Sequence, residues 1–422
     1  TMSNAIKNRI KTYFTTYLGK EVDGELPDNP VMKPYRVDMN NMDVTGTAEE
    51  ISSDIVLPET RIASTPEIGT ESNSGSMPTE WNIDEQDDLF EAVFCGKWQE
   101  KSGTKKSLTL GNEITSFTLL EKFPQTPASW QMYIKEFINQ LQMDFSTDSF
   151  VKLTWSLMGS NNPKQVFKDP IADKNPTYKE PLKTKSFLTK KGWLKIGDSV
   201  DSLVALRQSP SLSITINNNM ERTPALMEEE SIENSLGNFD ITGTLDVYNV
   251  DDIGHELYND AVEGKDKVFQ VRVQRTVNGV TTSYTLTLNV HLGAPTKSRN
   301  GNKLQFAIPL TMNDDKDLSL EKEVVGGVTK AVEPVFTNTL ENVTYKVGDE
   351  ATELDGTATV TDNGEITYSW KKDGIEVGTE ARYKPSTATS GTSTYTVTAT
   401  NSLNGSTAEK TQTVSVIVNE VL

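Results

Sequence analysis

Apolar and polar residues alternate along most of this chain, and this period of two is typical of strands with one buried face. In one late run, Tyr395, Val397 and Ala399 fall on one face while threonines occupy the other. The other long strand-like runs are 107–123, 139–158, 268–290 and 303–312. Two-residue hairpin turns are predicted at Asn278-Gly279 and Asp373-Gly374. The pattern predicts a mainly β protein.

Two short segments instead carry apolar residues at helical spacing. Their apolar faces are Leu89, Val93 and Phe94 in the first segment and Ile253, Leu257 and Ala261 in the second. Each segment follows Asn and Asp residues, which can cap a helix N-terminus, and precedes a glycine, which commonly ends a helix. The predicted caps are Asp84 with Asp87 and Asn249 with Asp252, and the predicted ends are Gly96 and Gly264.

The same order of strand, long loop, strand, helix and hairpin occurs twice in the first part of the chain. The Asn-rich segment 37–43 is echoed at 214–221, and Trp81, Leu89 and Phe90 are echoed by Tyr248, Leu257 and Tyr258. The spacing is far longer than one unit of a solenoid, so it indicates a duplicated domain. The predicted parts are an N-terminal arm at 1–30, copy 1 at 31–160, a connector at 161–195 and copy 2 at 196–320.

The last part of the chain has a different composition. A linker without a clear period, 321–334, precedes the Thr-, Ser- and Val-rich region 335–422, whose short alternating runs indicate a small β-sandwich. Trp370 on a middle strand, and Tyr395 two positions before Val397, resemble the core Trp and the tyrosine corner of an immunoglobulin-like domain. Val397 stands where antibody domains have their second core cysteine, so packing alone must close the Trp370 pocket.

Charge and composition exclude several functions. The 41 basic and 60 acidic residues give a net charge of −19, so a broad phosphate-binding surface is not expected. One cysteine, Cys95, and two histidines, His255 and His291, cannot build a disulfide framework or a Cys/His zinc cage. No apolar run is long enough to span a bilayer and no signal peptide is recognisable, so we expect assembly in a reducing cytoplasm and no membrane partner.

Several clusters could carry chemistry, and each has a structural alternative. The carboxylates within 84–88 and 314–317 could bind a metal or form a glycosidase pair, but helix capping and a solvated face are favoured, because the ligand rhythm of a calcium loop is absent. Trp130, Tyr133 and Trp155 could stack on a sugar or base, but core packing or an intersubunit contact is favoured. Cys95 is expected to be a small buried hydrophobe. We assign no catalytic, cofactor-binding or metal-binding residue.

Five motifs of copy 1 resemble the tail tube proteins of long-tailed bacteriophages. They are Lys33-Pro34-Tyr35-Arg36-Val37, Glu49-Glu50-Ile51, residues 69–76, Asp87-Asp88-Leu89-Phe90-Glu91-Ala92-Val93 and Gly96-Lys97-Trp98. The resemblance extends over residues 18–317, and an immunoglobulin-like C-terminal domain is common on phage tail proteins. It implies a tail-tube β domain with one helix, here in two copies, that assembles into the stacked rings of a non-contractile siphophage tail.

The resulting prediction is a major tail tube subunit, a structural virion protein without catalysis or cofactor. Because open sheet edges aggregate, the subunits are expected to close one barrel, and two copies per chain predict a trimeric, pseudo-hexameric ring. Expected partners are the chain itself, the tape-measure protein, phage DNA in the lumen without specific binding, the tail terminator and distal tail proteins and, through the outer domain, the host surface. The structural residues assigned are Trp81, Leu89, Phe90, Val93, Tyr248, Leu257, Tyr258, Trp370, Tyr395 and Val397.

Three further expectations concern the assembled tube. Polar strand faces suit a lumen that must not bind phosphates, and examples are Thr109, Asn112 and Thr115, or Thr285, Thr287 and Asn289. The segments 6–17 and 45–73 have the length and weak periodicity of mobile loops that could link stacked rings. The basic cluster of Lys183, Lys185, Lys190 and Lys191 could meet an acidic neighbouring surface. The alternative functions are a cell-surface β-rich adhesin with an immunoglobulin-like module and, third, an enzyme.

Overall fold

The structure is a computed structural model that describes residues 15–52, 65–123, 128–223, 233–249, 252–300, 303–326, 331–361, 364–403 and 406–421. Most of these residues lie in β-strands, so the prediction of a mainly β protein is confirmed. The chain divides into two compact units. Unit 1 comprises Thr1–Val277 with Thr281–Val325, and unit 2 comprises Asn278–Val280 with Gly326–Leu422.

The first half of unit 1 contains one helix and nine strands among its described residues. They are β1 (Thr15–Lys20), β2 (Val31–Tyr35), β3 (Thr45–Ile51), β4 (Glu67–Glu80), α1 (Asp87–Phe94), β5 (Gln99–Ser102), β6 (Lys105–Leu108), β7 (Ser116–Phe123), β8 (Ser129–Ser146) and β9 (Lys152–Gly159). The connector holds β10 (Thr177–Tyr178) and β11 (Trp193–Gly197), with 3-10 turns at Ala172–Lys174 and Thr189–Lys191.

The second half contains the other described helix. Its elements are a 3-10 turn at Val200–Ser202, β12 (Val204–Ala205), β13 (Ser211–Asn217), β14 (Glu221–Thr223), β15 (Glu233–Ser235), β16 (Asp240–Tyr248), α2 (Asp252–Glu263), β17 (Asp266–Val277), β18 (Val280–Leu292), β19 (Thr296–Asn300) and β20 (Lys303–Val325). Asn278 and Gly279, with φ of 50° and 78°, form the predicted two-residue turn between β17 and β18.

The strand pairings of the two halves follow one scheme. In the first half, β4 pairs with β3 and β9, β9 pairs with β8, β8 pairs with β7, and β7 pairs with β1, all antiparallel. In the second half, β16 pairs with β13 and β20, β20 pairs with β18, and β17 pairs with β11, again antiparallel. In each half the strand before the helix therefore pairs with the last strand, although the sequences of the halves differ.

Large aromatic residues fill the core of unit 1 where its halves meet. The Trp81 ring lies 5.0 Å from that of Phe90 and 5.2 Å from that of Tyr284, which comes from β18 in the second half. Phe90 also contacts Trp155 at 5.2 Å between ring centroids. Tilted and edge-on pairs of this kind add to the free energy of burial. The two halves therefore share one core.

The helix ends agree with the prediction only in part. Gly264 ends α2 with a φ of 67°, as predicted, but at the end of α1 it is Cys95, not Gly96, that adopts the left-handed conformation, with a φ of 50°. The N-cap of α1 is Gln86, which makes no side-chain cap bond. The predicted cap Asp84, whose backbone is left-handed with a φ of 63°, instead pairs with Lys322 at 2.5 Å.

Several strand limits also differ from the prediction. The predicted loop 45–73 contains β3 and the first half of β4, which form one hairpin, and its residues 53–64 lie outside the described ones. Thr15–Lys20 of the predicted arm is β1, paired with β2 and β7. The last strand, β20, continues to Val325, so residues 321–325 belong to it and not to a linker. Hydrogen-bonding partners elsewhere in the sheet, which no local pattern reveals, order these segments.

Unit 2 consists of short strands around a small core. They are β21 (Val335–Phe336), β22 (Val343–Lys346), β23 (Leu354–Asp355), β24 (Ala358–Thr359), β25 (Glu365–Lys372), β26 (Ile375–Gly378), β27 (Arg382–Tyr383), β28 (Gly391–Leu403) and β29 (Ser406–Asn419). Five of them form a sheet in the order β22, β29, β28, β25, β26. Asp373 and Gly374, with φ of 49° and 88°, make the predicted hairpin turn.

The core of unit 2 closes around Trp370, which is fully buried with Tyr395 and Val397. The indole Nε1 of Trp370 donates to the carbonyl of Glu380 at 2.9 Å, and its ring stacks on Tyr383 at 5.8 Å. Because its one polar atom is satisfied, the Trp370 side chain is buried without an unpaired donor.

Candidate functional site

A strand pair joins the two halves of unit 1 edge to edge. The last part of β8 pairs antiparallel with β13, from Ser146 with Ser211 to Gln140 with Asn217. Alternate side chains of both strands, such as Met143 and Ile214, are buried. The sheet of the first half therefore continues into the second half without an edge between them.

The strands of unit 1 that correspond to the end of β8 and to β13 are β19 in the second half and β3 in the first. Each of them pairs with one strand among the described residues. The strand β19 pairs with β20, as the end of β8 pairs with β9. The strand β3 pairs with β4, as β13 pairs with β16. Most side chains of β3 and β19 are exposed. Unit 1 thus presents two exposed sheet edges, β19 and β3, which are the counterparts of the two edges that pair within the chain as β8 and β13. An exposed strand edge can pair with a strand of another chain.

Two hairpins extend from one end of unit 1. The first arm, residues 45–51 and 67–74, is built from β3 and β4, and the second arm, residues 221–223 and 233–235, is built from β14 and β15. The register through β9, β8 and β13 places the start of both arms at the same end of the sheet. The guanidinium of Arg222 on the second arm donates to the carbonyl of Asn73 on the first. The arms therefore lie side by side.

The opposite end of unit 1 is formed by the turn between β8 and β9 together with the connector. The Val151 amide donates to the Phe187 carbonyl at 3.0 Å, and the Ile83 amide donates to the Lys185 carbonyl at 3.3 Å. These bonds hold the predicted basic cluster against the turn, where Lys183, Lys185, Lys190 and Lys191 are all exposed.

The carboxylates at the start of α1 hold separate parts of unit 1 together. The Tyr284 hydroxyl donates to Asp87 at 2.6 Å, and Lys322 pairs with both Asp84 and Asp87. Glu85 is fully buried and pairs with Arg36, while Asp88 accepts from Lys33 and from Tyr35. The prediction of a capping, solvated acidic face is therefore wrong in part for residues 84–88: Asp87 and Asp88 lie in the first turn of α1, but cationic and phenolic groups from both halves reach these carboxylates. In the second predicted cluster, Asp314 and Asp315 are exposed, as expected of a solvated face.

Two further carboxyl groups are buried in the first half without a cationic partner at hydrogen-bonding distance among the described residues. Burial raises the pKa of Glu136 to about 8, and the nearby Glu21 raises it further, while Asn73 and Arg222 oppose the shift. Burial also raises the pKa of Glu121 to about 7, opposed by a hydrogen bond from Tyr133. These shifts follow from the cost of placing a charge in a poorly solvated site.

The predicted structural residues lie in the cores and not at the sheet edges. Trp81, Leu89, Phe90, Val93 and Leu257 are buried in unit 1, and Trp370, Tyr395 and Val397 are buried in unit 2. Tyr248 and Tyr258 are half-buried, with Lys303 over the Tyr248 ring and Phe306 against the Tyr258 ring. Trp130, Tyr133 and Trp155 are buried too, in agreement with core packing.

Most residues of the strand faces that were predicted to be polar and solvent-exposed are buried. Thr115, Thr285, Thr287 and Asn289 are buried within unit 1, so the prediction of a polar lining formed by them is wrong for the single chain. Asn289, for example, donates to Asp314 on β20. Thr109 and Asn112 are exposed but lie between strands β6 and β7. Alternation marks two faces, but when both sides of a strand are covered it does not tell which face meets solvent.

The residues at the sheet edges and on the arms were not assigned from the sequence. Asn73 and Arg222 are separated by about half of unit 1 in the chain, and only their strand partners bring them together. The one signal in the sequence for these surfaces was the basic composition of the connector. No pattern within a short window shows which strand remains an edge.

A reactive site among the described residues could be built from metal ligands, a reactive thiol or a histidine with a catalytic partner. No three His, Cys, Asp or Glu side chains among them converge as metal ligands. Burial raises the pKa of the Cys95 thiol to about 11, which keeps it protonated. His255 is exposed on α2, and His291 lies 2.9 Å from Asp266. Neither helix of the described part is long and apolar enough to cross a bilayer.

The described strands β3 and β19 present exposed edges on which the strand of another chain can pair, as the subunits of an assembly do. A family model described as phage tail tube protein matches residues 15–313, so the chain belongs to this family. The protein is therefore a structural, non-enzymatic component of the virion tail, and the resemblance of its motifs to phage tail tube proteins is confirmed. A search of curated proteins found no match.

Proposed function

We propose that the chain is the major tail tube subunit of a siphophage and that it polymerises into stacked trimeric rings with pseudo-six-fold symmetry. The observation that carries this proposal is the pairing of β8 with β13 inside one chain. It joins two halves with the same pairing scheme, which we take to be two copies of one tube domain. We expect the strand pairing that links the two copies within one chain to be repeated between neighbouring chains.

The same contact between chains would close a ring. The strand β19 of one subunit would pair with β3 of the next, in the places that β8 and β13 occupy within a chain. This interface uses two different surfaces, and such head-to-tail interfaces give closed rings when the rotation per subunit divides a full turn. With two copies per chain, three subunits supply six tube domains. Closure would also cover the exposed strand edges, which are otherwise prone to aggregation.

Unit 2 is proposed to be an immunoglobulin-like domain on the outside of the tube. Its fully buried Trp370 supports this assignment, and so does Tyr395, whose hydroxyl accepts a backbone hydrogen bond from Ser386 upstream in the chain. There it could contact the host surface. The tape-measure protein and then the genome would pass through the lumen without specific binding, and the terminator and distal tail proteins would contact the tube ends.

Electron microscopy of the purified full-length chain, with mass measurement of isolated rings, tests the proposal. We expect hollow tubes or rings that contain three chains and show six similar lobes around the bore. Monodisperse monomers would contradict a tube function and favour the adhesin alternative. Rings of six chains would retain the tube function but refute the pseudo-hexameric trimer.

A further inference from the structure

The connector is strongly basic in a chain that is acidic overall. Residues 161–195 hold nine lysines and three acidic residues, whereas the whole chain has a net charge of −19. Lys183, Lys185 and Lys191 are exposed, and no ion pair joins any of them to another described residue. Exposed like charges so close in sequence repel one another, and this repulsion is relieved when an acidic surface approaches.

Lys152 extends this cluster. It is exposed at the start of β9 and borders the same surface cavity as Ser186, which lies next to Lys185 in the connector. Lys190, by contrast, is already 3.9 Å from Asp148. Lys152, Lys183, Lys185 and Lys191 are therefore the basic groups available to a partner, and together they are named the basic end surface.

The first arm has the opposite charge. Its described residues include Glu49, Glu50, Glu67 and Glu71 and no Lys or Arg. Glu49, Glu50 and Glu67 are exposed, and the strand register places Glu50 and Glu67 opposite adjacent residues, Ile68 and Ile51. Three carboxylates therefore cluster at the described end of this hairpin.

The two surfaces lie at opposite ends of the same strand. Glu67 begins β4 in the first arm, and Glu80 ends it, where the Ser186 hydroxyl donates to Glu80 at 2.5 Å. A strand of 14 residues spans about 45 Å. Subunits that stack head to tail along this strand direction bring the first arm of one subunit to the basic end surface of the next.

We infer that the partner of the basic end surface is the acidic first arm of a second copy of this chain in the adjacent ring, so that rings stack through ionic contacts of fixed polarity. The inference rests on the proposed function and adds the surfaces and the chemistry of stacking. A nucleic acid is the less favoured partner, because a chain with net charge −19 repels it at long range.

A charge-swap experiment with the full-length chain tests the inference. The basic-end variant is Lys183→Glu/Lys185→Glu, the arm variant is Glu49→Lys/Glu50→Lys, and the third protein combines both pairs. Each variant separately should form rings of wild-type mass but raise the protein concentration needed for tubes at least about tenfold, because weak surface pairs act together around a ring. The combined protein, which restores the net charge of the wild type, should regain tubes.

Salt and a matched control complete the test. Wild-type tubes should shorten as NaCl rises from about 0.05 to 1 M, since the screening length falls from above 10 Å to about 3 Å. The control Lys346→Glu/Lys371→Glu changes the net charge equally at exposed lysines of unit 2 and should leave tubes unchanged.

The outcomes separate the two proposals. If wild-type protein forms no rings, the proposed function fails. If it forms tubes, and both variants form tubes of wild-type length and salt response, only the ionic stacking is refuted. Loss of binding to a duplex DNA probe in the basic-end variant, with tubes intact, would identify nucleic acid as the partner and likewise overturn the inference.

Discussion

The hydroxyl of Tyr284 on β18 donates a 2.6 Å hydrogen bond to the carboxylate of Asp87 in the first turn of α1. It joins the second half of unit 1 to the helix of the first half, and Lys322 pairs with the same carboxylate. Burial and, to a smaller extent, the nearby carboxylates of Asp87 and Asp84 raise the pKa of this phenol well above its usual value, so the hydroxyl remains a donor. The two halves are thereby fixed through polar groups as well as through their shared core.

We expect Tyr284→Phe to lower the free energy of unfolding by about 1–2 kcal/mol, because it removes a hydrogen bond to a charged acceptor and leaves Asp87 partly unpaired. Denaturant unfolding followed by fluorescence measures the change. The matched control is Tyr258→Phe, since Tyr258 is half-buried and its hydroxyl makes no hydrogen bond to another described residue. Equal effects of the two substitutions would contradict a stabilising role for the Tyr284 bond.

Stability should depend on pH through Glu136. The pKa of this carboxyl is raised to about 8 in the folded chain, against about 4.5 when it is solvated, so the fold favours the protonated form. Its contribution is complete below about pH 4.5 and is lost as the pH rises through about 8. Glu136→Gln should therefore match wild type near pH 5 and exceed it at pH 9 by a few kcal/mol, on the order set by this shift.

Unfolding midpoints across this pH range test the Glu136 prediction. The control is Glu67→Gln, because Glu67 is exposed and its substitution removes a carboxyl group without changing a buried site. A constant difference between Glu136→Gln and wild type from pH 5 to 9 would show that this carboxyl does not titrate as the structure implies.

Trp370→Ala should unfold unit 2 without preventing tube assembly. Removing a buried tryptophan costs about 3–5 kcal/mol, which is a large fraction of the stability of a small domain. Limited proteolysis should then cut within residues 335–422 while electron microscopy still shows tubes. Trp81→Ala, at a similarly buried position in unit 1, should abolish assembly. Tubes lost with Trp370→Ala would place unit 2 in the wall.

Deletion of residues 335–422 tests the outer position more directly. Because these residues lie beyond the match to the tail tube family, we expect tubes of unchanged ring mass after correction for the deleted part. The measurement is tube diameter and ring mass. Failure of the truncated but folded chain to form rings would refute a decorating role.

Cys95 should be unreactive in the native chain. At pH 8 a thiol with a pKa of about 11 is ionised to about 0.1%, and Cys95 is also buried. A chromogenic disulfide reagent should therefore label it only after unfolding. Protein dissolved in guanidinium provides the control for complete reaction. Native labelling at the rate of the unfolded chain would show that the end of α1 opens readily.

Local patterns in the sequence predicted the elements that depend on neighbours in the chain. The faces of α1 and α2, the turns at Asn278-Gly279 and Asp373-Gly374, and the buried side of β28 at Tyr395, Val397 and Ala399 all agree with the structure. In each case the side-chain period or the backbone preference of Asn, Asp and Gly decides the outcome, and both can be seen within a few residues.

The features that position the assembly surfaces depend on distant parts of the chain. Asp84 was expected to cap a helix, but Lys322 from the last strand of unit 1 captures its carboxylate. Thr285 and Thr287 were expected to be a polar surface, but both faces of β18 are covered. The segment 45–51 was expected to be a loop, but β4 supplies the hydrogen bonds that make it a strand. Long-range pairing overrides local propensity at each position.

The length of β20 has a mechanical consequence for any polymer of this chain. Its 23 residues pair in turn with β19 and β16, with β18 and with β6, and a bulge between Asp314 and Ser319 interrupts the pairing with β18. Sliding one half of unit 1 past the other would break the β20–β6 and β8–β13 pairings that join the halves, so each subunit resists shear. A tail made of such subunits is expected to bend at the contacts between successive rings, and these contacts then determine its curvature.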